Sequence, residues 1–249
     1  MSSIAPYGSW RSPVRPELLV TQAVGLSQVV VDGETVLWNE GRPSEAGRQV
    51  LMSTAAGRDP DELLAPPWSA RSTVHEYGGL CYAARRARVV FCNAADQRMW
   101  VLPGGPGEPA ALTSASEPAR SVRFADPTIH PSGRWVVCVR ERHVGAAVTN
   151  DLVAVPLPAA HELPSGDPPP PVVLAEGHDF FAAPRPSPDG ARLAWLAWDH
   201  PDMPWDGTQL LTARWDESGG LTEVRRIAGG RGESISQPRW DPSGTLHYV

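Results

Sequence analysis

Residues 182–198 read Ala-Ala-Pro-Arg-Pro-Ser-Pro-Asp-Gly-Ala-Arg-Leu-Ala-Trp-Leu-Ala-Trp. A short extended segment leads into Pro188-Asp189-Gly190, and an apolar run follows it. Asp-Gly readily adopts the positive φ of a tight turn, and the proline before it fixes the angle at which the chain enters. The stretch therefore predicts a β-hairpin.

The same turn signal recurs along the chain. Pro127-x-x-x-Pro131-Ser132-Gly133 and Pro238-x-x-x-Pro242-Ser243-Gly244 match Pro184-x-x-x-Pro188-Asp189-Gly190, and the three glycines lie 57 and 54 residues apart. A period in the fifties with strand-like segments is typical of propeller blades of four strands each. The sequence thus predicts an all-β fold, a β-propeller of four-stranded blades.

Strand-like runs between these turns divide residues 28–249 into about four and a half blades. The first covers 28–52, the second begins near 74 and ends near 112, the third covers 124–174 and the fourth 181–227. The fifth begins at Ser236 and contains one hairpin. Residues 57–73 are expected to form a loop. A candidate strand at Leu18-Leu19-Val20 would be needed to close the ring; otherwise we expect the ring to be incomplete.

Composition argues against several classes of protein. The formal net charge is −6, and all 22 basic residues are arginine without forming a basic stripe, so nucleic-acid binding is not expected. No run of apolar residues approaches the length needed to span a membrane. Cys81, Cys92 and Cys138 lie in apolar runs without metal-ligand spacing. They are expected to be buried free thiols of a cytoplasmic protein.

Four stretches resemble the N-terminal propeller of the prolyl oligopeptidase family of serine peptidases, especially its acylaminoacyl-peptidase and dipeptidyl-aminopeptidase-like branch. They occur in the expected order and span nearly the whole chain. The four are Pro6-Tyr7-Gly8-Ser9-Trp10-Arg11-Ser12-Pro13, Trp38-Asn39-Glu40-Gly41-Arg42-Pro43-Ser44-Glu45-Ala46-Gly47-Arg48, Val74-His75-Glu76-Tyr77-Gly78-Gly79 and Trp198-Asp199-His200-Pro201-Asp202-Met203-Pro204-Trp205-Asp206-Gly207-Thr208.

This resemblance implies a peptidase whose propeller caps a C-terminal α/β-hydrolase domain and admits only short or unfolded peptides to a serine, aspartate and histidine triad. The sequence departs from the family because it contains no Gly-x-Ser-x-Gly nucleophile elbow. Both Gly25-Leu26-Ser27-Gln28-Val29 and Gly232-Glu233-Ser234-Ile235-Ser236 lack the final glycine. We therefore expect residues 1–249 to be a propeller fragment without the hydrolase domain, inactive on peptides by itself.

Two groups of residues are candidates for function. His75, Glu76 and Tyr77 combine an imidazole, a charge and a phenol just before Gly78-Gly79, which would let the backbone approach closely. On an innermost strand they would face the channel and a peptide substrate. The alternative is a hydrogen-bonded structural cluster between blades one and two.

Trp205 and Asp206 form the second group. They are expected either in a loop that faces the hydrolase domain or in an Asp-Gly turn whose tryptophan fills a blade junction.

Other chemistry has weaker signals. His178-Asp179 and Asp199-His200 are too sparse for a metal site, and no cofactor is expected. Glu76 and Asp126, if they lay on inner strands of neighbouring blades, would be an example of a carboxylate pair of the kind that cleaves glycosides, but the sequence does not give their separation and this alternative is not favoured. Gly104-Gly105-Pro106-Gly107 is followed by no lysine and is interpreted as a turn. The rival to the peptidase hypothesis is a self-contained, five-bladed TolB-like binding propeller without enzymatic activity.

Overall fold

The structure is a computed structural model that describes residues 4–9, 12, 14–15, 23–103, 107–159, 162, 164, 166–216 and 220–249. Within these residues nearly all regular structure is β-strand, and the one helix is a 3-10 turn at Pro43–Glu45. Sheet one contains β1 (Gly25–Asp32), β2 (Thr35–Arg42), β3 (Arg48–Ala55) and β4 (Asp61–Glu62). Sheet two contains β5 (Tyr82–Arg85), β6 (Arg88–Cys92), β7 (Met99–Val101) and β8 (Ala110–Ala111).

The remaining strands repeat this arrangement. Sheet three contains β9 (Val122–Ile129), β10 (Trp135–Val144), β11 (Ala147–Pro156) and β12 (Val172–Ala175). Sheet four contains β13 (Phe180–Pro186), β14 (Arg192–Trp198), β15 (Gly207–Trp215) and β16 (Leu221–Arg231). A fifth, two-stranded sheet contains β17 (Arg239–Trp240) and β18 (Leu246–His247).

The sheets are blades around one axis. In each four-stranded sheet the strands pair antiparallel in sequence order. The first strands contact one another in turn, β1 with β5, β5 with β9, β9 with β13, and β13 with β17. The predicted all-β propeller of four-stranded blades is confirmed, with four such blades and a two-stranded fifth sheet among the described residues.

The predicted turns form the hairpins between first and second strands. Gly133, Gly190 and Gly244 all have positive φ, of 72°, 75° and 85°. Each glycine amide donates to the carbonyl three residues earlier, at 2.8 to 3.0 Å. The repeat therefore marks the same hairpin in blades three, four and five.

The first proline of each repeat has a second role, next to a bend of the innermost strand. It follows Asp126, Ala183 or Gln237, whose φ values are 52°, 49° and 52°. Strand pairing shifts register at the first two of these positions, which is the signature of a β-bulge. Gln28, with φ of 54°, forms the corresponding irregularity in β1 without a proline. These bulges re-aim side chains close to the axis.

The hydrophobic core lies between neighbouring blades. Separate buried clusters join blades one and two, two and three, three and four, and four and five. Trp195 is 1% exposed in the cluster of blades three and four, as expected for a tryptophan that packs between blades. Cys81, Cys92 and Cys138 are buried free thiols, as predicted, and burial raises their pKa, that of Cys81 to about 12.

One predicted loop is corrected by the structure, and two other predicted segments fall outside the described residues. The segment 57–73, predicted as a loop, contains the short edge strand β4. The candidate strand Leu18-Leu19-Val20 and residues 104–106 lie outside the described residues. Among the described residues, no helix has the length and apolar character to cross a membrane.

Candidate functional site

A cavity of about 430 Å³ lies at one end of the channel, where the inner strands begin. Its walls are largely apolar and include Val74, Ala125, Val139, Phe181, Leu196, Trp198 and Ile235. Its polar groups include His75, Tyr77, Asp126, Thr208 and Ser234. Apolar walls with a few polar groups are the usual composition of a ligand site, so this cavity is the candidate functional site.

The segment that carries His75 and Tyr77 is a turn. The expected innermost strand at 74–79 is wrong, because the first strand of blade two is β5, which begins at Tyr82. His75 and Glu76 are consecutive residues with φ of 55° and 66°, in the left-handed region outside the β conformation, and they form a turn. The turn still directs His75 and Tyr77 into the cavity, whereas Glu76 does not line it.

Both glycines after this turn are in close contact with neighbouring atoms: a Cβ on Gly78 would lie 2.6 Å from the Ser72 carbonyl oxygen, and Gly79 faces blade three. A Cβ on Gly79 would lie 2.7 Å from Asp126 Oδ1. That oxygen accepts a 2.8 Å hydrogen bond from the Leu80 amide, and Oδ2 accepts one of 2.8 Å from the Ala183 amide. Asp126 thus ties blade three to blades two and four through its two carboxylate oxygens, beside the cavity.

His75 is held by aromatic and acidic neighbours. Its backbone amide donates to Glu141 Oε2 at 2.7 Å, and its ring lies edge-on to Phe180 and Trp198, with centroids 5.1 and 5.8 Å away. Burial lowers the pKa of His75 from its ordinary 6.5, against the opposing pull of Glu141 and Asp126. The lowered pKa favours the neutral imidazole at neutral pH.

Tyr77 lies at the rim of the cavity, 68% exposed, with its hydroxyl 3.4 Å from His75 Nδ1. Burial raises its pKa, and nearby Asp126 and Glu141 act in the same direction. The group consequently remains a phenol that can donate a hydrogen bond.

Glu76 belongs to a salt-bridge network. Arg123 Nη1 lies 2.7 Å from Glu76 Oε1 and 3.2 Å from Glu141 Oε1, and His143 Nε2 lies 2.7 Å from the latter oxygen. The possible ligand atoms of Glu76, Glu141 and His143 lie within 4.8 Å of one another, but the guanidinium already bridges the two carboxylates. This arrangement supports a structural role for Glu76, not a metal site. Glu76 is also not on an inner strand beside Asp126, so the proposed carboxylate pair is wrong in its placement.

Of the second predicted pair, Trp205 and Asp206, only Trp205 lines the cavity. Trp205 is 69% exposed and lines the cavity, so its predicted alternative as a buried blade-junction residue is wrong. Asp206 does not line the cavity. It closes a turn by accepting from the Met203 amide at 3.0 Å and donating its own amide to the Met203 carbonyl at 2.8 Å.

Sequence reasoning missed Phe180 and the partners of His75 and Glu76. Phe180 and Trp198 are opposite each other in the β13–β14 pair, and their rings stack at 5.3 Å. Glu141 and Arg123 lie on β10 and β9 of blade three, far from His75 in sequence. No local pattern in the sequence marks these contacts.

Solved structures similar to this chain include two puromycin-hydrolysing enzymes. A puromycin-hydrolyzing peptidase from Mycobacterium tuberculosis is 36% identical, with a TM-score of 0.84, over 100% of this chain and 39% of its own. The predicted resemblance to the prolyl oligopeptidase-type propeller is confirmed. A second puromycin hydrolase is 36% identical, with a TM-score of 0.83, over 98% of this chain and 38% of its own. The chain spans about 39% of the length of the first of these enzymes.

More distant similarity concerns the fold alone. A putative TolB from Agrobacterium tumefaciens is 16% identical, with a TM-score of 0.53, over 87% of this chain and 69% of its own. No protein-family model matches the sequence, and no curated protein is significantly similar to it.

Proposed function

We propose that this propeller admits and orients short peptides for a serine peptidase whose α/β-hydrolase domain lies C-terminal to it. The observation that carries the proposal is the apolar cavity of about 430 Å³. It lies in a propeller whose whole sequence is 36% identical to part of a puromycin-hydrolyzing peptidase. In this proposal the hydrolase domain supplies the catalytic groups. The propeller supplies the walls that select and place the substrate.

The residues of the cavity suit a peptide. Neutral His75 and the Tyr77 phenol offer hydrogen bonds to peptide backbone without the desolvation cost of a buried charge. Phe181 and Trp198 offer apolar contact to a side chain. We propose that the exposed Trp205 rests against the hydrolase domain and that Asp206 fixes the turn that presents it. Three buried thiols favour a reducing, cytoplasmic location.

The test is hydrolysis of puromycin and of short chromogenic peptides by the full-length protein. The Tyr77→Phe variant is expected to raise KM about fivefold with kcat nearly unchanged, since one hydrogen bond contributes about 1 kcal/mol. Tyr248→Phe, outside the cavity, is the matched control. The Trp205→Ala variant is expected to lower kcat/KM while leaving thermal stability unchanged.

A second candidate is a self-contained TolB-like binding propeller, favoured by the similarity of fold to TolB over 69% of that chain. Absence of amide hydrolysis by the full-length protein, together with retained peptide binding, would favour this candidate. Peptidase activity of residues 1–249 alone would contradict both.

A further inference from the structure

Three arginines line one cavity at the other end of the channel. The cavity has a volume of about 230 Å³, and its charged residues are Arg85 on β5, Arg185 on β13 and Arg239 on β17. Along β13 the lining passes from Phe181 and Ala182 in the first cavity to Arg185 in this one. The arginines therefore lie on the inner strands, beyond Asp126 as seen from His75.

The bulges of the innermost strands place two of these arginines. Arg185 and Arg239 each follow the first proline of a repeat unit, in Ala183-Pro184-Arg185 and Gln237-Pro238-Arg239. The equivalent residue of blade three is Thr128, which lines the same cavity. Blades three, four and five thus present a hydroxyl, a guanidinium and a second guanidinium to the same cavity.

These guanidinium groups have few partners. Arg185 Nη1 donates to the Pro184 carbonyl at 2.8 Å and Arg239 Nη1 to the Pro238 carbonyl at 2.9 Å. Arg85 Nε is buried without a hydrogen-bond partner. Among the described residues, no carboxylate forms an ion pair with any of the three. Most of their N–H donors are left for a ligand.

The electrostatics of the cavity favour an anion. Burial and the nearby charge of Arg239 lower the pKa of Arg185 to about 10, and Asp126 only partly offsets them. Two like charges on neighbouring inner strands repel each other, and an anion between them would relieve that repulsion. Guanidinium groups match the planar fork of a carboxylate with two parallel hydrogen bonds.

The wall behind the arginines is fixed. Trp240 Nε1 donates to the Arg185 carbonyl at 2.8 Å, and the Arg192 guanidinium lies 4.5 Å from the Trp240 ring centroid. This cavity of about 230 Å³ accommodates the end of a peptide, and Arg185, Arg239 and Thr128 also line a second cavity of about 420 Å³. The geometry suits one small oxyanion group.

We propose that Arg85, Arg185 and Arg239 form a site that binds the carboxylate of a short peptide at this end of the channel. The choice of a peptide as the source of the carboxylate rests on the proposed function. The site would favour peptides with a free C-terminus over chain interiors, which carry no terminal charge.

The experiment measures binding of triglycine and of triglycine amide to the full-length protein by calorimetry at low salt. Triglycine is expected to bind about tenfold more tightly than its amide, because charge-assisted hydrogen bonds exceed neutral ones. Arg185→Gln and Arg239→Gln should each reduce that ratio several-fold. Arg225→Gln, which removes an exposed charge from the outer strand β16, should leave it unchanged.

Equal binding of acid and amide, or an unchanged ratio in both channel variants, would overturn the proposal. Inorganic phosphate that binds these arginines more tightly than triglycine would also overturn it, by identifying free phosphate as the ligand. Thermal unfolding verifies that each variant is folded, and the exposed Arg239 provides the test if Arg185→Gln does not fold. A protein that hydrolyses peptides but binds acid and amide equally refutes only this inference. A protein with the expected ratio but no hydrolysis refutes only the peptidase.

Discussion

At the His75 end of the channel, Arg123 is bonded to Glu76 and Glu141, whereas at the other end Arg85, Arg185 and Arg239 have no carboxylate partner among the described residues. Both ends carry buried or half-buried charge. At the first end each charge compensates another, so the network stabilises the turn that positions His75. At the second end the charges repel, and the fold keeps them at a cost in stability.

The largest expected difference between the ends comes from Glu141, whose side chain is 3% exposed. Glu141→Ala removes the acceptor of the His75 amide and leaves Arg123 with the exposed Glu76 as its one carboxylate partner among the described residues, beside the Thr73 carbonyl. We expect the free energy of unfolding, measured in urea, to fall by about 3 to 5 kcal/mol. The exposed Glu176→Ala should change it by less than about 0.5 kcal/mol. A loss for Glu141→Ala similar to that of the control would show that the network does not stabilise the fold.

Asp126, between the two ends, is the next test. Asp126→Ala deprives the Leu80 and Ala183 amides of their acceptor and places alanine at a φ of 52°. We expect a loss of about 2 to 3 kcal/mol in urea denaturation. The exposed Asp59→Ala is the control. If the two variants were equally stable, Asp126 would not join the blades.

At the arginine end, removing a charge should not lower the free energy of unfolding as it does at the His75 end. Arg185→Gln relieves the repulsion from Arg239, so we expect stability in urea to be unchanged within about 0.5 kcal/mol or to rise. A large loss would show that Arg185 is paired in solution and would remove the contrast between the ends.

The smallest effect is expected in the dependence of stability on pH. The unfolded chain protonates His75 near its ordinary pKa of 6.5, whereas the folded protein does so only at lower pH. Stability therefore decreases as the pH falls below 6.5. His75→Asn, which tolerates the left-handed backbone, should flatten the fall in Tm between pH 7 and 5. Part of the slope should persist because burial also lowers the pKa of His130.

Much of the fold could be predicted because turn chemistry is local. Pro188-Asp189-Gly190 and its two counterparts fix hairpins through residues adjacent in sequence, and their spacing revealed the blades. The turn at 74–77 could not be predicted, since histidine and glutamate rarely adopt the left-handed conformation that His75 and Glu76 have here.

The candidate site was harder to predict because bulges change which residues face each other. Counting back from the hairpin turn, where Pro186 pairs with Leu193, would place Phe181 opposite Trp198. The bulge at Ala183 shifts the pairing by one residue, so Phe180 lies there instead. The arginine cavity was missed for a similar reason. Its members are 100 and 54 residues apart in sequence, and only the common position after Pro184 and Pro238 hints at their proximity.

The two oxygens of Asp126 also constrain how the protein can open. The Leu80 and Ala183 amides belong to different blades but depend on the same carboxylate. A fluctuation that frees one blade from this carboxylate would weaken the hold on the other, so we expect the protons of these two amides to exchange with solvent in one cooperative event. Blades two, three and four would then open and close together, and the width of the cavity that contains His75 would change with them.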